Sequence, residues 1–336
     1  MIIFSILLVI LGFNLIIFAH EVGHFIFAKL FGFRVDEFAI GFGKPIASLK
    51  YGETTYSFRL IPVGGFNKIP EIDSSYVDKP MSLAYYLKRL VVLGAGAGFN
   101  FASAFIATAL LLSLAGIPQS SATIQDIHPE VSAHANLFKT GDIILSVNDI
   151  PYDKNTQQIL SATYLNINVN RNGKIIPIQF YKDAGQPIGI TFQNEYTKIS
   201  LDKLIPATTT AFESMIYIIV DSFSLLVNMP AHDVIKSTAG PVGISMAMFK
   251  AEQEMGIVGF VFLFSLLSIN IGIMNLLPVP LLDGGRIMID TIQFFTRNII
   301  SKNAIRSLEF VGFAFIGILF LLGFVGDIYR ITISSL

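Results

Sequence analysis

Four long apolar segments constrain the fold of this chain more than any other feature of its sequence. They lie near residues 1–31, 90–117, 256–277 and 308–326. A helix needs roughly 20 residues to cross a bilayer, and each segment is about that long or longer. The whole chain of 336 residues is 53% hydrophobic and only 14% charged, which is too apolar for a soluble globular protein. The sequence therefore predicts an α-helical polytopic membrane protein with about four transmembrane helices.

The charge balance and the absence of cysteine exclude several classes of function. The net charge is −1 and no strong basic block occurs, so nothing indicates a nucleic-acid partner. The chain has no cysteine, which excludes disulfides, cysteine-based zinc sites and thiol proteases. The first residues lack a basic n-region and a small-x-small cleavage site, so we expect them to form a membrane span and not a signal peptide.

The first apolar segment contains the pentad His20-Glu21-Val22-Gly23-His24. Because a helix has about 3.6 residues per turn, His20 and His24 project from one face, where two neutral imidazoles can share a zinc ion. Glu21 could then handle the proton of a water on that metal. Ionisable residues at membrane depth are costly, so this position indicates a functional site and not a chance match.

A catalytic zinc with one open position needs a third protein ligand. No further histidine or glycine follows the pentad at the metzincin spacing. Asp283 is the strongest remaining donor, because two prolines and a glycine pair break the apolar segment around it, at residues 278–285. Asp290 and Asp327 are weaker candidates, since we expect them near helix ends that water can reach.

Two stretches between the apolar segments predict smaller structured parts. Two β-prone runs around the Gly52-Glu53 turn predict a hairpin over about residues 45–61, whose open edge could receive an extended peptide as an added strand. A hairpin without a substrate role is the alternative. Residues 118–195 have the composition of a soluble domain, and their order of strands and turns, centred on residues 139–148, resembles a PDZ domain. A structural spacer is the alternative there.

Residues 204–228 could be taken for a further span. Glu213 and Asp221 lie close to two helical turns apart, however, and so share one face. We therefore expect an amphipathic helix at the membrane interface, within a connecting region of residues 196–255. A fifth span is the alternative, and it would reverse the topology of everything downstream.

The distribution of lysine and arginine predicts the orientation in the membrane. Lys29 and Arg34 follow the first span and no Lys or Arg precedes it, so this end is expected in the cytoplasm. His20 lies about 13 Å from Lys29 along a helix, which places the metal site below the membrane surface on the cytoplasmic side. The soluble domain is then expected on the extracytoplasmic side.

Taken together, these features resemble the site-2 protease family of intramembrane zinc metalloproteases, and within it the bacterial RseP (regulator of sigma-E protease) group. The resemblance covers nearly the whole chain. It rests on the pentad, the PDZ-like insert, Gly-Pro-Val-Gly at 240–243 and NLLPVPLLDGG at 275–285. The division that it implies is an N-terminal membrane core of residues 1–117, the PDZ-like insert and a C-terminal membrane core of residues 256–336.

The resemblance implies a role for each residue of these motifs. His20, His24 and Asp283 would hold Zn²⁺, and Glu21 would act as the general base. The hairpin at 45–61 would be a membrane re-entrant element that pairs with the unwound substrate helix. The substrate-binding residues that we expect are Asn275, Tyr56, Phe58 and Asn100.

Two features depart from the pattern of the group. The RseP group typically carries two PDZ domains in tandem, whereas the insert at 118–195 is long enough for one. The second-span motif Gly-Pro-x-x-Asn has Ala97 in place of proline, although Asn100 is retained. Asn100 could also hydrogen-bond between helices or orient groups at the metal site.

The resemblance implies hydrolysis of a peptide bond inside the bacterial cytoplasmic (inner) membrane. The expected partners are membrane lipid and single-span membrane proteins, such as anti-sigma factors or remnant signal peptides, after an upstream site-1-type protease has cut them on the extracytoplasmic side. Two other functions remain open at this stage. One is a non-catalytic scaffold or chaperone for membrane helices, and the other is a metal transporter that uses the same three ligands.

Overall fold

The chain, described here from a computed structural model, forms two compact units. A helical unit comprises residues 1–111 and 204–336, and an inserted unit comprises residues 112–203. The structure describes residues 2–73, 80–153, 157–229, 240–297 and 300–334.

Helices account for most of the first unit. The α-helices of the described residues, of which α4 belongs to the inserted unit, are α1 (Ile2–Leu30), α2 (Pro70–Asp73), α3 (Leu83–Ala115), α4 (Gln157–Ser161), α5 (Leu201–Asn228), α6 (Pro241–Met255), α7 (Ile257–Leu276), α8 (Asp283–Thr296) and α9 (Lys302–Ser334).

Four of the described helices are long and apolar enough to cross a membrane. In the last of them only 11% of the most apolar stretch is buried in the protein, so lipid must cover most of its surface. The chain is thus a multi-pass membrane protein, as the sequence predicts. The four candidate spans are Ile10–Leu30 within α1, Leu83–Ala115, Ile257–Leu276 and Asn303–Tyr329 within α9.

The amphipathic helix α5 is not among these candidate spans. Its apolar face packs against α3 and α7, where Met215 and Ile219 contact Ala104 and Ile269. Glu213 and Asp221 lie on its exposed face, so the helix is amphipathic. Its position at the membrane interface stays a prediction.

Glycine lets α1 and α3 approach closely beside the pentad. A Cβ atom at Gly23 would lie 2.4 Å from the main-chain oxygen of Ala95, closer than any real side chain allows. Small residues serve the same purpose in many membrane helix pairs. The contact brings the face of α1 that bears His20 and His24 against α3.

The hairpin is longer than the sequence analysis predicts. It comprises β1 (Glu37–Tyr51) and β2 (Thr54–Lys68), whereas the β-prone runs predict residues 45–61. Residues 37–40 lie between two stretches of β2, with Phe38 opposite both Tyr56 and Asn67. The glycines and prolines of the hairpin bend the strands without ending them, so both strands continue beyond the predicted residues 45–61.

The broken segment after α7 turns back over the start of α8. A Cβ at Gly284 would lie 2.2 Å from the oxygen of Leu276, and one at Gly285 would lie 2.1 Å from that of Val279. Leu281 adopts a left-handed φ of 89° within the same turn. Only glycine permits such close backbone contact, so the pair fixes Asp283 at the first position of α8.

The expectation that water reaches Asp290 and Asp327 is wrong. Asp290 is fully buried, and its carboxylate accepts two hydrogen bonds from Arg89 of α3, at 2.7 and 3.0 Å. Asp327 of α9 accepts hydrogen bonds from the main-chain N–H groups of Gly240 and Val242, both at 3.0 Å, at the start of α6. The Asp290 carboxylate therefore joins α8 to α3, and the Asp327 carboxylate joins α9 to the start of α6. The Gly-Pro-Val-Gly motif at 240–243 thus has a structural role, because its N–H groups bind Asp327.

The inserted unit is an antiparallel sheet with short helices. The strand order is β7-β6-β4-β3-β8, and β5 pairs with β4. Asn172 and Gly173 form the predicted β6–β7 turn, and both have positive φ. The strands are β3 (Ile117–Ile127), β4 (Ile143–Val147), β5 (Ile150–Pro151), β6 (Tyr164–Arg171), β7 (Lys174–Tyr181) and β8 (Ile190–Thr197).

One ion pair in the inserted unit predicts a pH dependence. Burial alone raises the pKa of Asp142, but two hydrogen bonds from Arg171, at 2.7 and 2.6 Å, hold it below its ordinary value of 3.8. A carboxylate with a lowered folded-state pKa adds stability above its unfolded pKa and loses it as the pH falls further. Hydrogen exchange in the intact protein should therefore show faster opening of β4 and β6 below pH 3.8. In Asp142→Asn this acid dependence should be weaker, and an unchanged profile would contradict the assignment.

Candidate active site

Two helices of the helical unit bring four functional side chains together. α1 supplies His20, Glu21 and His24, and α8 supplies Asp283. A cavity of about 260 Å³ joins these four side chains. Its remaining lining residues are Phe66, Asn67, Ile69, Ile72, Asp73, Leu93, Asn275, Leu281 and Arg286.

The two histidines and Asp283 meet at three atoms. His20 Nε2 lies 3.1 Å from His24 Nε2, and each lies 3.2 Å from Asp283 Oδ2. The three side chains are only 10–12% exposed. They are the only group of potential metal ligands of this kind among the described residues. The structure therefore brings together, across about 260 residues of sequence, the ligands that the sequence analysis selects.

The arrangement fits a zinc ion. His24 Nδ1 lies 2.8 Å from the main-chain oxygen of Val92. Because that oxygen can only accept a hydrogen bond, Nδ1 carries the proton of the neutral ring, and the lone pair of Nε2 points towards Asp283. Asp283 Oδ2 is buried and has no hydrogen-bond donor among the described residues. Acceptor atoms this close repel one another unless a cation lies among them. A tetrahedral zinc site, with bonds of about 2.0–2.1 Å, has ligand-to-ligand distances of about 3.3 Å.

Asn100 lies behind His20 and not in the cavity. It is fully buried, and its side-chain amide lies 3.4 Å from His20 Nδ1. Within the part of the chain that the structure describes, its Oδ1 is buried without a partner, and rotating the amide by about 180° lets Oδ1 accept the Nδ1–H of His20. That bond would turn the His20 Nε2 lone pair towards the metal. Contact of Asn100 with substrate stays a prediction, and in the structure its side chain lies where it can orient the His20 ring.

Replacing Asn100 should weaken metal retention. Asn100→Leu keeps the volume but removes the acceptor for His20, and loss of such an outer partner typically costs about 10- to 100-fold in metal affinity. Competition with a zinc chelator measures this. Thr108→Val is the matched control, because Thr108 is buried on the same helix and its hydroxyl meets no hydrogen-bond partner in the described segments. Equal zinc affinity in the two variants would contradict the role.

Tyr56 and Phe58 line a different cavity. This cavity, about 700 Å³ and almost wholly apolar, lies between the hairpin and α1, where it is bordered by Phe18, Val22 and Ile26. These residues lie on the opposite face of α1 from the histidines. Contact of Tyr56 and Phe58 with substrate stays a prediction, and of the expected substrate residues Asn275 alone lines the catalytic cavity.

Sequence reasoning did not identify Gly96 and Asn67. A Cβ at Gly96 would lie 2.4 Å from His24 Nε2 and 2.6 Å from His20 Cε1, so only glycine leaves room for the two rings. Asn67 donates a hydrogen bond to Glu21 Oε2 at 2.8 Å. The only sequence signals are a small residue within a glycine-rich stretch and a polar residue directly after the apolar stretch of residues 60–66.

Comparison with known proteins agrees with this geometry. Residues 8–319 match the family model "Peptidase family M50". The chain belongs to this family. It is 34% identical over 306 residues to a protein of Fusobacterium nucleatum that carries the name "Putative zinc metalloprotease FN1322", with 85% of this chain and 86% of the relative aligned. It is 26% identical over 419 residues to "Zinc metalloprotease RasP" of Oceanobacillus iheyensis, with 96% and 98% aligned.

Membership of Peptidase family M50 confirms the predicted site-2 protease resemblance and the predicted zinc peptidase activity. The match covers both the pentad on α1 and Asp283 on α8, which are the two parts of the site. A scaffold without catalytic activity and a metal transporter are therefore not the preferred functions of this chain.

Proposed function

We propose that this chain cleaves transmembrane segments of single-span membrane proteins within the bilayer. The observation that carries the proposal is the position of His20, Glu21 and His24 on a helix that can span a membrane, where Asp283 of α8 meets the two histidines. His24 lies six residues, or about 9 Å, before the end of α1 at Leu30. A substrate of an enzyme built in this way must bring its peptide bond to membrane depth.

The chain's own residues would carry the proton transfers of hydrolysis. A zinc ion would be held by His20, His24 and Asp283. When bound, it would lower the pKa of water and polarise the scissile carbonyl. Glu21 takes the proton of the attacking water and later delivers it to the nitrogen of the leaving amine. Asn275, in the last turn of α7, lines the same cavity and can donate to a substrate carbonyl.

The hairpin would receive the unwound substrate. A transmembrane helix satisfies its amides internally, so it must open locally before attack, and pairing with a strand offsets that loss. Phe66 and Asn67 of β2 line the catalytic cavity, whereas residues 47–49 of β1 line the apolar cavity and not the catalytic one. We therefore place the scissile strand along residues 65–67. Tyr56 and Phe58 would hold apolar substrate side chains further along the hairpin, in the apolar cavity.

The inserted unit would control access as a single PDZ-like domain on the extracytoplasmic side. Lys29 and Arg34 support this orientation, because positive residues favour the cytoplasmic end of α1. The substrates would be single-span proteins, such as anti-sigma factors or remnant signal peptides, that a site-1-type protease has already trimmed. The expected location is the bacterial inner membrane.

A panel of single-span reporters tests the proposal. Purified enzyme in lipid vesicles should cleave trimmed reporters, whereas Glu21→Gln, which keeps all three ligands, should bind zinc normally and cleave nothing. A reporter with a bulky ectodomain should be cut more slowly than its trimmed form. Equal processing by wild type and Glu21→Gln would overturn the proposed mechanism.

A further inference from the structure

The general base has a close neighbour on the hairpin. The side-chain amide of Asn67, in β2, donates to Glu21 twice, with Nδ2 lying 2.8 Å from the carboxylate Oε2 and 2.6 Å from the main-chain oxygen. A primary amide has two N–H groups, so both of its donors are committed to this one residue.

The orientation of this amide is fixed by its surroundings. Exchange of its oxygen and nitrogen would place Oδ1 of Asn67 against the carbonyl and the carboxylate of Glu21, and three acceptors would then face one another. In the orientation present, Oδ1 points elsewhere and has no hydrogen-bond partner among the described residues. Only the nitrogen can therefore face Glu21.

The hairpin gives Asn67 a rigid support. Asn67 lies opposite Phe38 in the strand ladder, and Phe38 makes edge-on ring contacts with Phe18 and Phe25 of α1, at 5.8 and 5.3 Å between ring centroids. The backbone of β2 is thus held at a set distance from the helix that bears Glu21. Groups on regular elements keep their geometry better than groups on loops.

We propose that Asn67 is a positioning residue that holds the Glu21 carboxylate in its working orientation. With Oε2 engaged by Asn67, the second oxygen, Oε1, is left to take the proton of the attacking water. This inference rests on the proposed role of Glu21 as general base. Because Phe66 and Asn67 also line the cavity, the strand that we expect to bind substrate also aligns the base.

Removing the donor should lower turnover and leave substrate and metal binding intact. In Asn67→Leu we expect kcat to fall by about 10- to 100-fold, the cost of a misaligned catalytic group, with KM within about two-fold of wild type and zinc content unchanged. Asn67→Asp should lose at least as much, because its carboxylate would oppose both acceptors of Glu21. Lys68→Gln, an exposed neighbour on the same strand, is the matched control and should keep wild-type kcat.

A second readout needs no substrate. The infrared carboxylate band of Glu21, isolated by subtracting the Glu21→Gln spectrum, should shift in Asn67→Leu and stay in place in Lys68→Gln. Three results for Asn67→Leu would each overturn the role of Asn67. They are an unshifted carboxylate band, a wild-type kcat, and a loss of activity that only matches the loss of zinc. A shifted band in an enzyme that cleaves no reporter would instead count against the proposed function and leave the contact standing.

Discussion

Gly96→Ala should abolish zinc binding and proteolysis. The added Cβ would lie 2.4 Å from His24 Nε2 and 2.6 Å from His20 Cε1, so both rings must move. His24 is also held by Val92, which leaves it little room to adjust. We expect zinc content to fall from about one ion per chain to less than about one-tenth, and activity to fall by at least about 100-fold. Metal analysis of the purified variant measures the first effect directly.

The same helix provides matched controls for this prediction. A Cβ at Gly94 or at Gly98 would meet nothing within 4 Å. Gly94→Ala and Gly98→Ala should therefore retain zinc, and each favours helix formation by up to about 1 kcal/mol. Full zinc content and activity in Gly96→Ala would show that the site is looser than its geometry indicates.

Asp290→Ala should be the most destabilising single substitution in the helical unit. It removes the carboxylate that pairs with the fully buried guanidinium of Arg89, and breaking a buried ion pair from one side costs about 3–5 kcal/mol. α8 would then lose its ion pair with α3. Since the chain has no tryptophan, circular dichroism in detergent is the appropriate measurement of unfolding.

Two further variants separate charge from packing in this prediction. Arg89→Met combined with Asp290→Leu should recover much of the stability, because a buried pair can often be replaced by apolar residues of similar volume. Arg34→Gln, which breaks an ion pair whose arginine is 65% exposed, should cost less than about 1 kcal/mol. Equal melting temperatures for Asp290→Ala and Arg34→Gln would contradict the assigned role of Asp290.

The three side chains of the candidate metal site could be predicted from sequence because each has a local signature. The spacing of His20 and His24 places them on one helix face, and a lone carboxylate at Asp283 in a broken apolar segment needs a cation nearby. These arguments require no knowledge of the tertiary fold. The candidate spans follow in the same way from length and hydropathy.

The supporting residues could not be predicted because they act through tertiary contacts. Gly96 matters only because α3 passes directly beside the histidines, and Asn67 only because β2 runs along α1. Asp290 and Asp327 were expected near water, since their position in the sequence does not reveal the arginine or the helix start that each one meets. Period-two alternation places Tyr56 and Phe58 on one strand face but does not say which cavity that face borders.

The position of the cut in a cleaved reporter tests the central claim most directly. We expect mass spectrometry of the products to place the cut inside the transmembrane segment, in the part near the cytoplasmic surface, because His24 lies about 9 Å before the end of α1. These products should be absent with Glu21→Gln. A cut outside the transmembrane segment, or the same products from both proteins, would contradict intramembrane proteolysis at this site.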